Sequence, residues 1–167
     1  MTAAERRTAI LDILNNSTQP VSASALAGHF HVSRQLIVGD IALLRAGGAP
    51  VIAAARGYQL QNHSGLLRRT ACRHRSEDMQ TELQIMVDNG CTVLDVVVEH
   101  PVYGQLTGAL QLSSRYDVQQ FILRCNAAQP LSCLTEGVHL HTLSCPDEAA
   151  FRRVEEQLDE AGFLLKQ

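Results

Sequence analysis

Apolar residues in the first fifty positions recur with helical spacing in three short runs. The runs are "AAERRTAILDILNN", "VSASALAGHF" and "SRQLIVGDIALLRAGG". Apolar residues three or four positions apart on one side of each run predict three amphipathic helices. Ser22 precedes the second helix and Ser33 the third, and serine is a preferred N-cap residue. Gly47 and Gly48 then provide a stop signal for the third helix.

The third helix is followed by a hairpin signal. In "APVIAAARGYQL", two short β-prone runs flank Arg56 and Gly57, which indicate a turn. Three helices with a tight turn before the third, followed by a hairpin, predict a winged helix-turn-helix over residues 1–61. The "SRQLIVGDIALLR" run resembles the recognition helix of winged-helix repressors of the biotin-operon-repressor type. We expect its inner face to be formed by Leu36, Ile37, Ile41 and Leu44.

A recognition helix reads DNA with its first turn, which enters the major groove. Here that turn carries Ser33, Arg34 and Gln35. Arginine pairs bidentately with guanine and glutamine with adenine. Arg45 and the hairpin residue Arg56 are predicted to contact phosphates, which position a protein without specifying sequence. The alternative is a three-helix domain that serves only for protein contacts.

Gly39 departs from the pattern of the third helix. A glycine in a helix interior costs about 1 kcal/mol relative to alanine. Either close packing against a neighbouring helix or the loss of a contact to DNA would account for a glycine there.

The chain beyond residue 65 alternates between strand-like and helix-like segments. Strands are predicted at "LLRRTACRH", "CTVLDVVVEH", "QLTGALQL" and "GVHLHTLSC". Helices are predicted at "SEDMQTELQIMVDNG", with Ser76 as its cap, at "SRYDVQQFILRCNAA" and at "PDEAAFRRVEEQLDEAGFL". The order β-α-β-β-α-β-α over residues 66–167 predicts an α+β domain with one face of a sheet covered by helices. This order resembles the HPr-like open-faced sandwich, and residues 129–137 are consistent with either a short extra strand or a loop.

Charge is distributed unevenly along the chain. Nine arginines and three acidic residues precede Ser76, whereas five basic and fourteen acidic residues follow from that point. Such asymmetry predicts two modules, of which the basic one suits DNA. The five cysteines are odd in number and form no C-x-x-C pair, which argues against a disulfide framework. No apolar run is long enough to span a bilayer and the N-terminus lacks a signal segment, so we expect a cytoplasmic protein that does not associate with a membrane.

The histidines of "GVHLHT" carry the candidate chemistry. His139 and His141 project from the same side of a strand, because side chains alternate. His74 ends the first strand, and Glu82 lies near the second turn of the following helix. A helix packed beside the late strand would bring Glu82 to His139 and His141, and three imidazoles with one carboxylate suit zinc, nickel or iron. From spacing alone, a pair of half-buried core histidines remains the alternative.

Three motifs together extend this pattern. His74 followed by Glu82, "VEHPVYG" at 98–104 and "GVHLHT" at 137–142 resemble the motifs of the 3H domain. That domain follows a winged helix in the nicotinate-responsive repressors of NAD biosynthesis and niacin uptake, the NiaR family, and the resemblance covers essentially the whole chain. It implies a nickel or zinc ion held by His74, Glu82, His139 and His141. It also implies that nicotinic acid acts as co-repressor and that the protein binds double-stranded operator DNA as a homodimer. The resemblance further implies a protein without enzymatic activity.

The motif "HPVYG" admits several roles. His100 is a candidate for an effector contact, for a partner that orients a metal ligand, or for a further imidazole near the metal. Tyr103 and Gly104 would line a pocket for a flat pyridine ring. The same five residues are also of types that favour a turn.

Two other functions are compatible with a metal site behind a DNA-binding domain. One is a metal-dependent hydrolase, for which Glu99 is the nearest acid–base candidate. The other is a repressor that senses the metal alone.

Overall fold

The computed structural model describes residues 1–54, 56–61, 65–126 and 128–166. The chain forms two compact units, an N-terminal unit of Met1–Asn62 and a C-terminal unit of His63–Gln167. Both units combine α-helices with antiparallel strands, which confirms the α+β class. Within the described residues, none of the helices has both the length and the hydrophobicity that crossing a membrane requires.

The N-terminal unit is three helices followed by a two-stranded hairpin, as predicted. Ser22 Oγ accepts a hydrogen bond from the Ala25 amide at 3.0 Å, and Ser33 Oγ accepts one from the Leu36 amide at 3.2 Å. Both serines therefore satisfy amides that the first helical turn leaves free. The elements are α1 (Ala3–Asn16), α2 (Ala23–Phe30), α3 (Arg34–Ala46), β1 (Val51–Ala54) and β2 (Gly57–Leu60).

The inner face of α3 differs from the predicted one at a single position. Ile37 and Ile41 are buried in the core of the unit, but Leu36 is 43% exposed. The residue that completes the buried stripe is Asp40, which is 3% exposed. Its carboxylate lies 2.6 Å from Nε of Arg6 on α1. The prediction for Leu36 was wrong because position 36 lies outside the stripe of positions 37, 40, 41 and 44 that faces α1.

Gly39 is not held in place by packing. A Cβ atom at this position would meet no atom within 4 Å. Close helix packing, one of the two explanations for this glycine, is therefore wrong.

The hairpin is fastened to the segment before α2. The amides and carbonyls of Val21 and Tyr58 exchange two hydrogen bonds of 2.8 Å. Gly57 has a φ of +152°, and a side chain there would overlap the Val21 carbonyl. Glycine is required at this turn because the hairpin approaches the Val21 backbone too closely for a Cβ atom.

The C-terminal unit has the predicted order of strands and helices. The elements are β3 (Leu66–Arg73), α4 (Met79–Asp88), β4 (Thr92–His100), β5 (Gly104–Leu112), α5 (Arg115–Cys125), β6 (Val138–Cys145) and α6 (Glu148–Glu160). The sheet is antiparallel throughout, with the strand order β3-β6-β4-β5. Residues 131–135 form a short 3₁₀ turn instead of an extra strand.

The start of α4 differs from the prediction. A 3₁₀ turn occupies Ser76–Asp78, and α4 begins only at Met79 without a side-chain cap. Ser76 is therefore too far from the free amides of α4 to cap them, and its Oγ instead lies 3.3 Å from Sγ of Cys133. This shift places Glu82 in the first turn of α4 and not near the second.

Strand β6 carries the buried face on which the helices pack. Its side chains alternate, and His139, His141, Leu143 and Cys145 all point to the buried side. Helix α6 packs on β3 and β6, while α4 packs on β4 and against both α5 and α6. A continuous layer of helices thus covers this face of the sheet, as expected for such an element order.

The change in charge along the sequence does not coincide with the boundary between the units. Four of the nine arginines that precede Ser76 lie on β3 or directly after it, in the C-terminal unit. Arg6 is neutralised by Asp40. The basic residues available to a nucleic acid in the N-terminal unit are consequently fewer than the sequence suggested, which makes the position of each one more important.

Candidate metal centre and recognition helix

Three imidazoles surround the carboxylate of Glu82 in the C-terminal unit. Nε2 of His74 lies 2.6 Å from Oε2, Nε2 of His139 lies 2.9 Å from Oε1, and Nε2 of His141 lies 3.4 Å from Oε2. Glu82 is 1% exposed, and His139 and His141 are 3% exposed each. The side chain of His74, which directly follows β3, is equally buried. The four side chains that the sequence grouped together are therefore adjacent and shielded from solvent.

The other ring nitrogen of each histidine is bound to the backbone. Each Nδ1 lies 2.7–2.8 Å from a main-chain carbonyl oxygen, and the acceptors belong to Arg75, Gly137 and Asp95. A carbonyl oxygen can only accept, so Nδ1 carries the proton in each ring. In the neutral ring Nε2 then holds the free lone pair, which is how proteins prepare a histidine to bind a metal.

Two irregular backbone positions build this arrangement. Strand β4 has a bulge between Val93 and Asp95, directly before the carbonyl that accepts from His141. Gly137 has a φ of +87°, and a side chain there would overlap the His74 carbonyl. Since its own carbonyl accepts from His139, Gly137 connects two of the three histidines. Bulges and left-handed glycines commonly shape functional sites.

Electrostatics couples the carboxylate to the imidazoles. Burial alone would raise the pKa of Glu82, but the charge of His141 and the hydrogen bonds from the three imidazoles lower that pKa well below its ordinary value. Burial alone would lower the pKa of His74 and of His141, but hydrogen bonding to Glu82 and its negative charge raise both values. Without a cation, the site therefore retains Glu82 as an anion and favours protonation of His74 and His141.

Cys72 is a neighbour that the sequence analysis did not single out. Its Sγ, a carboxylate oxygen of Glu82 and a ring nitrogen of His139 lie within 4.8 Å of one another. Cys72 pairs with His139 across the sheet, so strand alternation and register are the signals that point to it. Burial and the charge of Glu82 raise the pKa of this thiol. The imidazoles are better ligands because an imidazolium releases its proton far more readily than a thiol whose pKa is raised above its ordinary value.

The donor set fits a divalent transition metal. Three neutral Nε2 atoms and one carboxylate are ligands that zinc and nickel accept. The set carries one negative charge, which a divalent cation would convert into one positive charge.

A cavity of about 390 Å³ lies beside the cluster. The imidazoles and Glu82 form part of its wall, and apolar side chains form most of the rest, among them Met79, Leu83, Val96, Leu110, Phe121 and Leu131. A concave, mostly apolar space with a few convergent polar groups has the usual character of a small-molecule site.

The "HPVYG" motif forms the turn between β4 and β5. Nδ1 of His100 accepts hydrogen bonds from the amides of Val102 and Tyr103 at 3.1 and 3.3 Å. Tyr103 is 74% exposed, and Gly104 begins β5 with a φ of +70°. None of the three proposed effector contacts, His100, Tyr103 and Gly104, is among the residues that line the cavity. Turn geometry is sufficient to explain the conformation of this motif.

The candidate DNA-reading residues lie at the two ends of helix α3 and on the hairpin. Ser33, Arg34 and Gln35 are all exposed. Nε of Arg45 donates to the Val51 carbonyl at 2.8 Å, and its guanidinium lies over the Tyr58 ring. Arg45 therefore also braces α3 against the hairpin.

Arg56 lies at the exposed turn of the hairpin. It donates through Nη2 to Oε1 of Gln19 at 2.5 Å, so the turn is joined to the segment between α1 and α2.

Comparison with known proteins gives the same two-part organisation. Residues 6–59 match the model of an HTH domain, and residues 67–167 match that of the 3H domain. The chain is 46% identical over 170 residues to the transcription repressor NadR of Bacillus subtilis, covering 98% of this chain and 94% of that protein. It is 42% identical over 166 residues to the probable transcription repressor NiaR of Thermotoga maritima, covering 98% and 95%. The chain therefore belongs to the family of transcription repressors, which are not enzymes, in which a helix-turn-helix domain precedes a 3H domain.

Proposed function

We propose that this protein represses genes of NAD biosynthesis and niacin uptake, with nicotinic acid as co-repressor and a nickel or zinc ion in its 3H domain. The observation that carries the proposal is the set of three imidazoles with backbone-bound Nδ1 atoms, aimed at Glu82 beside an apolar cavity. Such a site suits a small, flat ligand that bears an anionic group. The NiaR family, which the motifs resemble, responds to such a ligand.

In this proposal the metal is held by His74, Glu82, His139 and His141. When bound, the ion supplies positive charge in a unit whose acidic residues would otherwise repel an anion. The carbonyl acceptors hold each imidazole ring in one orientation. The apolar walls receive the pyridine ring and exclude water, which strengthens polar contacts within the cavity.

In the N-terminal unit, Ser33, Arg34 and Gln35 would read bases, and Arg45 and Arg56 would contact phosphates. A homodimer would place two α3 helices in successive major grooves, about 34–36 Å apart. Nicotinate promotes repression only if it binds the DNA-competent state more tightly than the other state. Because it would bind operator DNA, the protein would act in the cytoplasm.

The two rival functions lead to different expectations. The hydrolase finds no support, because the relatives are repressors and the acid–base candidate Glu99 does not line the cavity. A repressor that senses the metal alone would respond to the ion without nicotinate.

The test is a gel-shift titration with a palindromic niacin-operon promoter in four conditions: apo-protein, metal, nicotinate, and both together. We expect tight binding only with metal and nicotinate together. His139→Ala should abolish the effect of nicotinate while retaining the weak basal affinity, because the substitution leaves the DNA-reading unit unchanged. Full binding with metal alone would favour the metal sensor, and an unchanged affinity in all four conditions would refute the proposal.

A further inference from the structure

The cavity beside the histidine cluster is lined by a single guanidinium. Arg124 and Phe121 both contribute to its wall from α5. They lie three positions apart, so they share one face of that helix. Among the described residues that line the cavity, Arg124 is the only lysine or arginine. The guanidinium of Arg124 and the ring of Phe121 are therefore both available to a ligand in the cavity.

Arg124 has no acidic partner among the described residues, unlike some other arginines of the C-terminal unit. Arg115, at the other end of α5, lies 2.6 Å from Asp88, and Arg68 lies 2.6 Å from Glu148. Within the part of the chain that the structure describes, Arg124 makes no ion pair and no hydrogen bond through its side chain. Its side chain is exposed, whereas the imidazoles are buried, so it lies toward the open side of the cavity. The guanidinium is thus available to an anion that enters.

We propose that Arg124 is the residue through which the cavity selects a carboxylate. The ligand is a flat aromatic ring with one carboxylate, which the guanidinium binds while the ring packs against Phe121. This inference rests on the proposed function and deepens it, because it assigns the discrimination between nicotinate and the neutral nicotinamide to one side chain. Arginine suits this role because its planar fork matches both oxygens of a carboxylate.

Substitutions of Arg124 and of Phe121 should weaken the binding of different ligands. Arg124→Gln removes the charge but keeps a polar side chain, so only the carboxylate should lose affinity. We expect nicotinate to bind about tenfold more weakly, the lower end for hydrogen bonds to charged groups because the site is partly exposed. Arg124→Lys should lose about threefold, since an ammonium lacks the fork. Phe121→Leu should weaken nicotinate and nicotinamide alike, because both have the same ring.

The test is isothermal titration calorimetry of the full-length, metal-loaded protein with nicotinate and with nicotinamide. Arg152→Gln is the matched control, since it removes the same charge from an exposed position on α6 that does not line the cavity. Thermal unfolding of each variant verifies that it is folded. Tyr103→Ala tests the competing contact at the β4–β5 turn.

The outcomes separate this inference from the proposed function. A tenfold loss for nicotinate in Arg124→Gln, with nicotinamide and the Arg152→Gln control unchanged, supports the inference. An unchanged nicotinate affinity in Arg124→Gln, an equal loss for both ligands, or a selective loss in Tyr103→Ala instead overturns it and leaves the proposed function standing. If the wild-type protein binds no nicotinate, both the proposed function and the inference fall.

Discussion

The carboxylate of Glu82 lies 2.9 Å from Nε2 of His139, although 57 residues separate the two in the chain. Both side chains are buried. An isolated buried carboxylate costs several kcal/mol, and the cost is offset only by well-placed partners of opposite charge or by hydrogen-bond donors. Three imidazoles supply those partners here. The negative charge of Glu82 and the protonation of His74 and His141 therefore depend on each other.

Glu82→Gln should lower metal affinity by more than tenfold. The substitution keeps the size of the side chain but removes the one negative charge of the donor set, and loss of even an outer partner of a metal ligand costs about 10- to 100-fold. Metal content after dialysis, measured by elemental analysis, and competition with a chelator would check this. Glu77→Gln is the control, since Glu77 is an exposed acid on the adjacent turn. Equal metal retention by Glu82→Gln and the control would exclude Glu82 as a ligand.

Cys72→Ala should leave metal binding intact. Cys72 lies within reach of the ligand atoms. Its thiol would have to lose a proton to bind the metal, and burial and the charge of Glu82 oppose this because they raise the pKa of the thiol. We expect the same metal stoichiometry as in the wild-type protein, together with a loss of about 1 kcal/mol of stability from the small cavity created. A folded Cys72→Ala protein that no longer binds metal would make Cys72 a ligand.

Gly137→Ala should damage the metal site more than the fold. Alanine at a φ of +87° is strained by about 1–2 kcal/mol, and its methyl group would overlap the His74 carbonyl. Relief of that overlap moves His74 or the carbonyl that orients His139, so metal affinity should fall by at least tenfold. Gly162→Ala, which has a φ of +78° but open space around it, is the matched control for backbone strain. Equal metal affinities in the two variants would contradict this role for Gly137.

Metal-free and metal-loaded protein should respond to pH in opposite directions above pH 6.5. Folding raises the pKa of His74 and His141 above the ordinary 6.5. Their contribution to stability is fully present below pH 6.5 and is lost as pH rises through the raised values. Folding lowers the pKa of Glu82 below 4.5, so its contribution is present above pH 4.5 and is lost as pH falls through the lowered value.

The apo-protein should therefore gain most from this cluster between about pH 4.5 and 6.5. A bound metal requires unprotonated imidazoles, so its stabilising effect should grow as pH rises through that range and above it. Thermal unfolding from pH 5 to 8.5, with a chelator and with added zinc or nickel, would measure both slopes. Glu82→Gln should flatten the apo slope. A cluster contribution that is independent of pH in the metal-free protein would show that the imidazoles are not coupled to Glu82.

Residues within single elements were predictable from the sequence, because their positions follow from periodicity. Spacing alone placed His139 and His141 on one side of β6, and Ser33 at the start of α3. The grouping of Glu82 with them required a helix packed beside the strand, and the full ligand set with His74 was what the family resemblance implied. Contacts between distant segments left no comparable pattern.

Four features of the site could not be predicted for this reason. Cys72 becomes visible only once the register of β3 against β6 is known. The bulge before Asp95 and the close approach of Gly137 to His74 depend on how strands and loops meet. In the sequence, Arg124 is an ordinary basic residue in the last turn of a helix. Its place in the cavity wall follows only from how α5 packs. Asp40 was concealed because a buried charge interrupts the apolar stripe that identifies a core face.

Gly39→Ala should stabilise the N-terminal unit by about 1 kcal/mol. Gly39 lies in the interior of α3, and a methyl group there would meet no atom within 4 Å, so alanine gains helix propensity without a clash. Gly28→Ala is the control, because Gly28 lies in α2 with equally open surroundings. Both variants should raise the denaturant midpoint.

If the exposed face of α3 enters the major groove, Gly39→Ala should also change operator affinity in a gel shift, whereas Gly28→Ala should not. A stabilised Gly39→Ala protein with unaltered affinity would mean that this position does not approach DNA, and the operator would then be read from the first turn of α3 alone.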